Sequence, residues 1–287
     1  MLRVKTVWVT NKNSSLNLRF AELRRRVSVS RTMQFRQPAM TLFILFLPLA
    51  ARAEPESDVR NAVSALANTS YDWETTTRQR FSGDTTEPRV NLDAPIETKG
   101  RIEPNAYTEI TLMPSRELAV PVTAITRAGD VVGHTPLGWM RRTEMRQTAD
   151  ANRMVEFEGK QVRLSRVFSA ALRVTAQRTP TEELFDLLAD VKSYRNMEGL
   201  VLAELQERVV EQLWGDARAK RAPAVQGNVI FKFAGDSLSE YHVVLAIGFP
   251  NSRTKKTAWS MVQWSTRFRG IGSTTVEPPA AAVKALE

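Results

Sequence analysis

Residues 257–268 read TAWSMVQWSTRF, and this segment decides the fold. Its side chains alternate with a period of two, which is typical of a β-strand. The two sets are Trp259, Met261 and Gln263 on one face and Ser260, Val262 and Trp264 on the other. Both faces carry apolar bulk, so we expect one face to cover a core and the other to border a cavity.

Other strand-like segments precede this one along most of the chain. Two long runs, 228–233 and 240–249, are joined by the turn Ala234-Gly235-Asp236. Shorter runs occupy residues 71–78, 96–102, 107–113, 120–126 and 131–134. Turn sequences rather than long helices separate most of these runs, which predicts antiparallel strands joined locally.

Helical spacing of apolar residues marks a second kind of element. We predict helices over 58–67, from Leu164 onward, after Thr179, over 205–219 and over 280–286, with one extended segment at 194–202. Ser57 is the expected N-cap of the first helix. The sequence Thr179-Pro180-Thr181-Glu182 predicts a capping box with proline in the first turn. Strands and helices in separate blocks indicate an α+β fold, and residues 54–287 show no linker that would divide them.

The N-terminal segment, residues 1–53, has the features of a signal peptide with an extended N-region. Residues 40–51 are mostly apolar, and Ala51-Arg52-Ala53 matches an A-x-A cleavage pattern. A membrane span needs about 20 apolar residues, so cleavage after Ala53 is favoured over a retained anchor. We therefore expect a periplasmic or secreted protein without a permanent membrane anchor. Translation could start at Met1, Met33 or Met40.

The charge of the chain is concentrated in that N-terminal segment. The whole sequence has 40 Lys and Arg against 31 Asp and Glu, and residues 1–53 hold 10 of the basic residues but only one acid. Subtraction leaves 30 of each in residues 54–287, so we expect no nucleic-acid partner. The sequence has no cysteine, which excludes disulfides and the cysteine of a lipobox.

No catalytic or metal motif stands out in the sequence. His134 and His242 are the only histidines, and we interpret them as a loop residue and a strand residue rather than as metal ligands. The run Ser252-Arg253-Thr254-Lys255 matches S-x-x-K in spacing only, and we interpret it as a hairpin tip. No catalytic residue, metal site or cofactor is predicted. A hydrolase would require a carboxylate or serine beside His134 or His242 in one cleft.

Large apolar side chains are the remaining candidates for a site. Core packing is the ordinary explanation for such residues, and the lining of an apolar groove is the alternative. The candidates for the groove are Trp73, Trp139, Phe168, Trp214, Trp259 and Trp264.

Four motifs and the order of elements resemble a known superfamily. The motifs are Tyr71-Asp72-Trp73-Glu74-Thr75-Thr76-Thr77, Gly138-Trp139, Arg178-Thr179-Pro180 and Gly272-Ser273-Thr274-Thr275-Val276-Glu277-Pro278-Pro279. The order of elements resembles that of the periplasmic lipoprotein-carrier superfamily. With the four motifs, the chain resembles secreted proteins of planctomycete and verrucomicrobial type more closely still. The resemblance implies a half-barrel, in which a curved antiparallel sheet wraps helices around an apolar cavity.

The same resemblance implies binding without chemistry. The expected ligand is a lipid, a lipoprotein acyl chain or another amphiphile. The alternative is a structural or interaction protein of the envelope whose core is filled by its own side chains, and a hydrolase is the third possibility. An apolar groove larger than about 300 Å³ would favour the first.

Overall fold

The structure is a computed structural model. It describes residues 54–82, 96–116, 118–147, 152–197, 199–214, 222, 224–250 and 257–287. The predicted signal peptide with its cleavage site at Ala53, and the run Ser252–Lys255, lie outside the described residues. None of the helices in the described ranges is long and apolar enough to cross a membrane.

One antiparallel sheet of 11 strands organises the described chain. Its strands are β1 (Tyr71–Ser82), β2 (Ile96–Ile102), β3 (Thr108–Leu112), β4 (Val122–Arg127), β5 (Asp130–Thr135), β6 (Gly138–Arg141), β9 (Val191–Met197), β10 (Leu200–Leu205), β11 (Ala224–Ala234), β12 (Ser237–Pro250) and β13 (Thr257–Arg269). They follow the order β6-β5-β4-β3-β2-β1-β13-β12-β11-β10-β9, and β6 and β9 are not paired with each other. Strands β7 (Met154–Phe157) and β8 (Lys160–Arg163) form a separate hairpin.

The long sheet consists of two meanders. Strands β1 to β6 follow one another in space as in sequence, and so do β9 to β13. The first and last strands join the meanders, with Trp73 opposite Phe268 and Thr77 opposite Trp264. Pairing within each meander is local, as the turn sequences predicted, whereas the central pairing is between the two ends of the described chain.

Helices cover what we call the inner face of the sheet, the face that carries Trp73 and Phe268. The helices of the described residues are α1 (Pro55–Ala67), α2 (Arg142–Gln147), α3 (Leu164–Val174), α4 (Pro180–Leu188), α5 (Glu207–Trp214) and α6 (Ala280–Leu286). Helix α3 lies against β3, β4 and β5, α1 lies against β9 and β12, and α5 lies against β11 and β12. Their buried side chains form one core with the inner face.

The opposite, outer face is mostly polar and is covered at one end. Helix α6 lies against β5 and β6, where Ala282 and Leu286 pack on Ile125 and Val132 in a second, smaller cluster. The predicted α+β class is therefore confirmed: an open antiparallel sheet carries the helices, as in a half-barrel.

The helix that begins after Thr179 is confirmed in its details. The Thr179 hydroxyl accepts a hydrogen bond from the Glu182 backbone N–H at 3.3 Å, and the Glu182 carboxylate accepts one from the Thr179 N–H at 2.8 Å. Both halves of the capping box are formed, and Pro180 begins the helix. This element matters for the site, because the capping box fixes where the first turn of α4 meets the sheet.

Several local predictions differ from the structure. Ser57 is not an N-cap: α1 begins at Pro55 and is preceded by Glu54, because proline suits the first helical turn. The segment 194–202 is not one extended piece but parts of two strands, with Gly199 in the turn at a φ of 87°. Helix α2 and the β7–β8 hairpin were not predicted, since their short segments lack a clear apolar period. Of the predicted helix 205–219, residues 207–214 are helical, Leu205 ends strand β10, and residues 215–219 lie outside the described part.

Candidate functional site

The centre of the inner face lies between two groups of helices. Helix α3 covers one meander, while α1 and α5 cover the other. Strands β2, β1 and β13 run between them, and a row of side chains there is only half-buried. Ile96, Thr77 and Trp264 stand opposite one another in this row, and Val262 is the next residue of β13 on the same face. We call these four residues the central strip.

The central strip contrasts with its neighbours on the same face. Val243 lies opposite Trp264 on β12 and is fully buried, as is Val229 beyond it on β11. On the other side, Leu112 of β3 is buried. The inner face is therefore less buried at the central strip than at these neighbours.

A carboxylate borders the central strip. Glu183 lies in the first turn of α4, and its Oε1 accepts hydrogen bonds from Trp264 Nε1 at 2.6 Å and from the Tyr241 hydroxyl at 2.9 Å. Burial raises the pKa of Glu183, an effect that these two hydrogen bonds and the charge of Arg178 partly offset. Burial also raises the pKa of Tyr241 well above its ordinary value, so the tyrosine remains a neutral donor.

A second polar contact fixes α4 against the sheet. The hydroxyls of Tyr71 and Thr181 are 3.1 Å apart, and the Tyr71 ring packs edge-on against Phe268 with 5.3 Å between ring centroids. Burial raises the pKa of Tyr71 to about 12. Because Tyr71 and Thr181 are both buried, breaking this contact would remove a hydrogen bond inside the core.

The structure divides the predicted groove residues between the two faces of the sheet. Trp73, Phe168 and Trp264 belong to the inner core. Trp139 lies on the outer face, where it stacks on His134 with 4.9 Å between ring centroids. Trp259 is also on the outer face, since its ring would lie 3.3 Å from a Cβ placed on Gly248. The side chain of Trp214 is outside the described part. The candidates whose side chains are described therefore do not line one groove.

Trp73 contributes to the floor of the core rather than to an open surface. It is only 3% exposed. A Cβ added at Gly100 would lie 2.1 Å from its ring, so the indole covers the backbone of the neighbouring strand, where only glycine leaves room.

Sequence reasoning did not find Glu183. Acidic residues in the first turn of a helix are common, because they interact favourably with the helix dipole, so nothing in the sequence marks Glu183 as part of a site. The sequence does predict that Trp259 and Trp264 lie on opposite faces, because residues an odd number of positions apart in one strand point to opposite sides of the sheet.

Two grooves lie on the outer face. One, of about 410 Å³, is formed by β1, β12 and β13; the other, of about 400 Å³, is formed by β1, β2, β3 and β13. Glu74 lines both, with Lys99 at 3.5 Å and Arg269 at 3.9 Å from its carboxylate. The first groove has a mainly polar lining. The second is bordered by charged side chains, but most of its accessible surface is apolar.

A carboxylate and a serine do meet His242 at the first of these grooves. Glu240 Oε1 accepts hydrogen bonds from Ser265 at 3.1 Å and Arg267 at 3.0 Å, and His242 Nε2 is 3.1 Å from the same oxygen. Serine and histidine thus both face the carboxylate. Nucleophilic catalysis needs the serine to donate to the histidine instead, so the arrangement as it stands is an ion-pair cluster rather than a nucleophile and its base.

His242 lies within β12, as expected for a strand residue, whereas His134 differs from its prediction. His134 lies within β5 rather than in a loop, between the rings of Trp139 and Phe157, and burial lowers its pKa while the charge of Glu158 acts in the opposite sense. In the part of the chain that the structure describes, no group of three His, Asp or Glu side chains is placed to hold a metal ion.

Comparisons with known proteins were made for the sequence and for the fold. No protein-family model matches the sequence, and no curated protein matches it. Among solved structures, a LolA superfamily protein from Nitrosomonas europaea is similar over 78% of this chain and 94% of its own, with 8% identity and a TM-score of 0.29. A structure of lipovitellin, described for its lipid–protein interactions, covers 75% of this chain with 11% identity and a TM-score of 0.27, and this chain spans 26% of it. Scores this low support no argument about function.

Proposed function

We propose that this chain is a periplasmic binding protein that holds a lipid, an acyl chain or another amphiphile against the central strip, without covalent chemistry. The observation that supports the proposal is the half-buried apolar surface between the two helix groups. An alkyl chain that buried about 200 Å² there would gain roughly 5 kcal/mol at 25 cal/mol per Å². Part of that gain is lost to immobilising the ligand, which gives reversible binding suited to a carrier.

The periplasmic part of the proposal rests on the sequence. Residues 40–53 supply the apolar stretch and cleavage pattern of a signal peptide. The remainder of the chain has equal numbers of basic and acidic residues, which suits an apolar or amphiphilic ligand better than a nucleic acid.

The first test is native mass spectrometry of residues 54–287, purified from a bacterial periplasm without detergent, followed by organic extraction. We expect a co-purifying lipid of defined mass, or uptake of an offered fatty acid or phospholipid. A protein that carries nothing and takes up neither class would overturn the proposal.

Two tryptophans of one strand provide a matched test of location. Trp264→Ala removes an aromatic side chain from the central strip, whereas Trp259→Ala removes one from the outer face of the same strand. We expect the first variant to raise the Kd for an alkyl ligand about tenfold and the second to leave it unchanged. Equal effects in both variants would place the ligand elsewhere. Thermal unfolding of both variants controls for loss of the fold.

A second function has an observation in its favour. The outer grooves are bordered by Arg78, Lys99, Arg267 and Arg269 and by the acids Glu74 and Glu109, and such mixed charges suit a protein partner more than a lipid. An envelope interaction protein would use this face and keep its inner core filled. Failure of lipid uptake in the first test would favour this function.

A further inference from the structure

Glu183 is an unusual neighbour for an alkyl chain. It is the carboxylate that contacts Trp264 of the central strip, and both hydrogen bonds that it receives come from neutral donors and end on one oxygen, Oε1. Among the described residues, Oε2 has no hydrogen-bond partner. Arg178, the cation whose charge acts on Glu183, forms its own ion pair with Asp186.

The surroundings of Glu183 determine which headgroup could approach it. A carboxylate that has lost part of its hydration gains most from charge-assisted hydrogen bonds and repels an anion. The indole and phenol that hold Oε1 can only donate toward Glu183 in this geometry, so they orient the carboxylate but do not neutralise it. The remaining oxygen is complementary to a ligand that donates hydrogen bonds and carries positive charge.

A purely structural role would also explain why Glu183 contacts the sheet. The carboxylate links α4 to β12 and β13 through Tyr241 and Trp264, and a neutral amide at this position would keep an oxygen that accepts both hydrogen bonds. The negative charge of Glu183 is therefore not needed to join α4 to the sheet, but it is needed to bind a cation. This difference allows the two roles to be separated by one isosteric substitution.

We propose that Glu183 receives the headgroup of the bound amphiphile, and that this headgroup is a hydrogen-bond donor with positive charge, such as a primary ammonium, rather than a carboxylate or phosphate. The inference rests on the proposed function and names the ligand class of the same site. The alkyl chain lies along Ile96, Val262 and Trp264, and the ammonium group binds Oε2 of Glu183.

The test compares ligands with the same chain and different headgroups. Dodecylammonium, dodecanol and dodecanoate are each titrated, below their aggregation concentrations, into residues 54–287 of the wild type and of Glu183→Gln. We expect the wild type to bind dodecylammonium at least about tenfold more tightly than dodecanoate. In Glu183→Gln that ratio should fall to near one, with the affinity for dodecanol unchanged.

Glu74→Gln is the matched control, because Glu74 is the acid that lines both outer grooves. If this variant, and not Glu183→Gln, weakens dodecylammonium binding, the cation binds the outer face and the inference is overturned. Tight binding of dodecanoate, or a headgroup preference that survives Glu183→Gln, also overturns it while leaving the proposed function intact. If none of the three ligands binds, the inference is overturned, and native mass spectrometry decides whether the proposed function fails with it.

A second measurement uses only the wild type, so its result does not depend on whether Glu183→Gln folds correctly. Dodecyltrimethylammonium carries the same charge as dodecylammonium but has no N–H to donate. We expect the wild type to bind it several-fold more weakly than dodecylammonium, because the hydrogen bond to the carboxylate is lost. Equal binding of the two cations would contradict a direct contact with Glu183.

Discussion

Glu240 lies on the outer face, where polar side chains surround it and bury most of its carboxylate. Its carboxylate is bonded to Ser265 and Arg267 and lies 4.0 Å from Lys232, while its side chain is only 10% exposed. Burial acts to raise its pKa, but the hydrogen bond from Arg267, the charges of His242 and Arg267 and the hydrogen bond from Ser265 outweigh burial and hold the pKa below the usual 4.5.

Replacing Glu240 tests this balance. Because the folded-state pKa is lowered, the ionised carboxylate stabilises the fold above pH 4.5, and that stability is lost as the pH falls through the folded-state value. We expect Glu240→Gln to cost about 1 to 3 kcal/mol near neutral pH, with the difference from wild type narrowing in acid. Urea unfolding of both proteins, from neutral pH into acid, measures this difference in stability. Glu56→Gln, at an exposed pair with Arg60, should change stability by less than about 0.5 kcal/mol; a similar loss in both variants would contradict the argument.

At the scale of an element, α4 has the clearest local specification. Its capping box, its proline and its apolar residues all predict the same helix start, and the structure confirms that start. Helix α1 lacks such agreement: the Ser57 hydroxyl donates to the Glu54 carbonyl at 2.8 Å instead of accepting from a helix N–H. Two serine or threonine residues near helix starts therefore have different roles.

This contrast gives a paired prediction. Thr179→Ala removes the side-chain acceptor of the capping box and should destabilise the protein by about 1 kcal/mol. Ser57→Ala removes no cap and should cost only a few tenths of a kcal/mol. Chemical denaturation of both variants measures the two costs. The argument is contradicted if Ser57→Ala lowers the free energy of unfolding more than Thr179→Ala does.

Strands in which the side chains alternate over many residues could be predicted from the sequence. Strand β13 and its partner β12 are each more than ten residues long, so the alternation of side chains is unambiguous. Strands β7 and β8 have four residues each, too few to show a period. Glu183 could not be predicted as part of a site, since its contacts with Tyr241 and Trp264 depend on how α4 is placed on the sheet.

At the scale of the whole molecule, the outer face has one protected end. Helix α6 covers Ile125 and Val132, both fully buried, and Arg141 donates hydrogen bonds to the carbonyls of Ala285 and Leu286, both at 3.2 Å. The basic side chain satisfies carbonyls that the end of the helix leaves free. The helix thus closes over apolar side chains that the sheet would otherwise expose.

Removing residues 280–287 tests this cover. We expect the sheet to persist, because the truncation touches no strand, but with a free energy of unfolding lower by about 2 to 4 kcal/mol. Increased binding of a hydrophobic dye should report the uncovered surface. Lys284→Ala, at an exposed position of the same helix, is the control and should leave both measurements unchanged. A truncated chain with wild-type stability would show that α6 contributes no cover.

The pairing of β1 with β13 determines the order in which the sheet can form during synthesis. During synthesis the meander β1 to β6 is complete long before β13 is made, so β1 presents an unpaired edge for most of that period. The final step joins two half-sheets that can each form locally, and such encounters between distant segments are slow. A nascent chain of this protein thus remains open to chaperones, and to mispairing with other copies, until its last strand emerges.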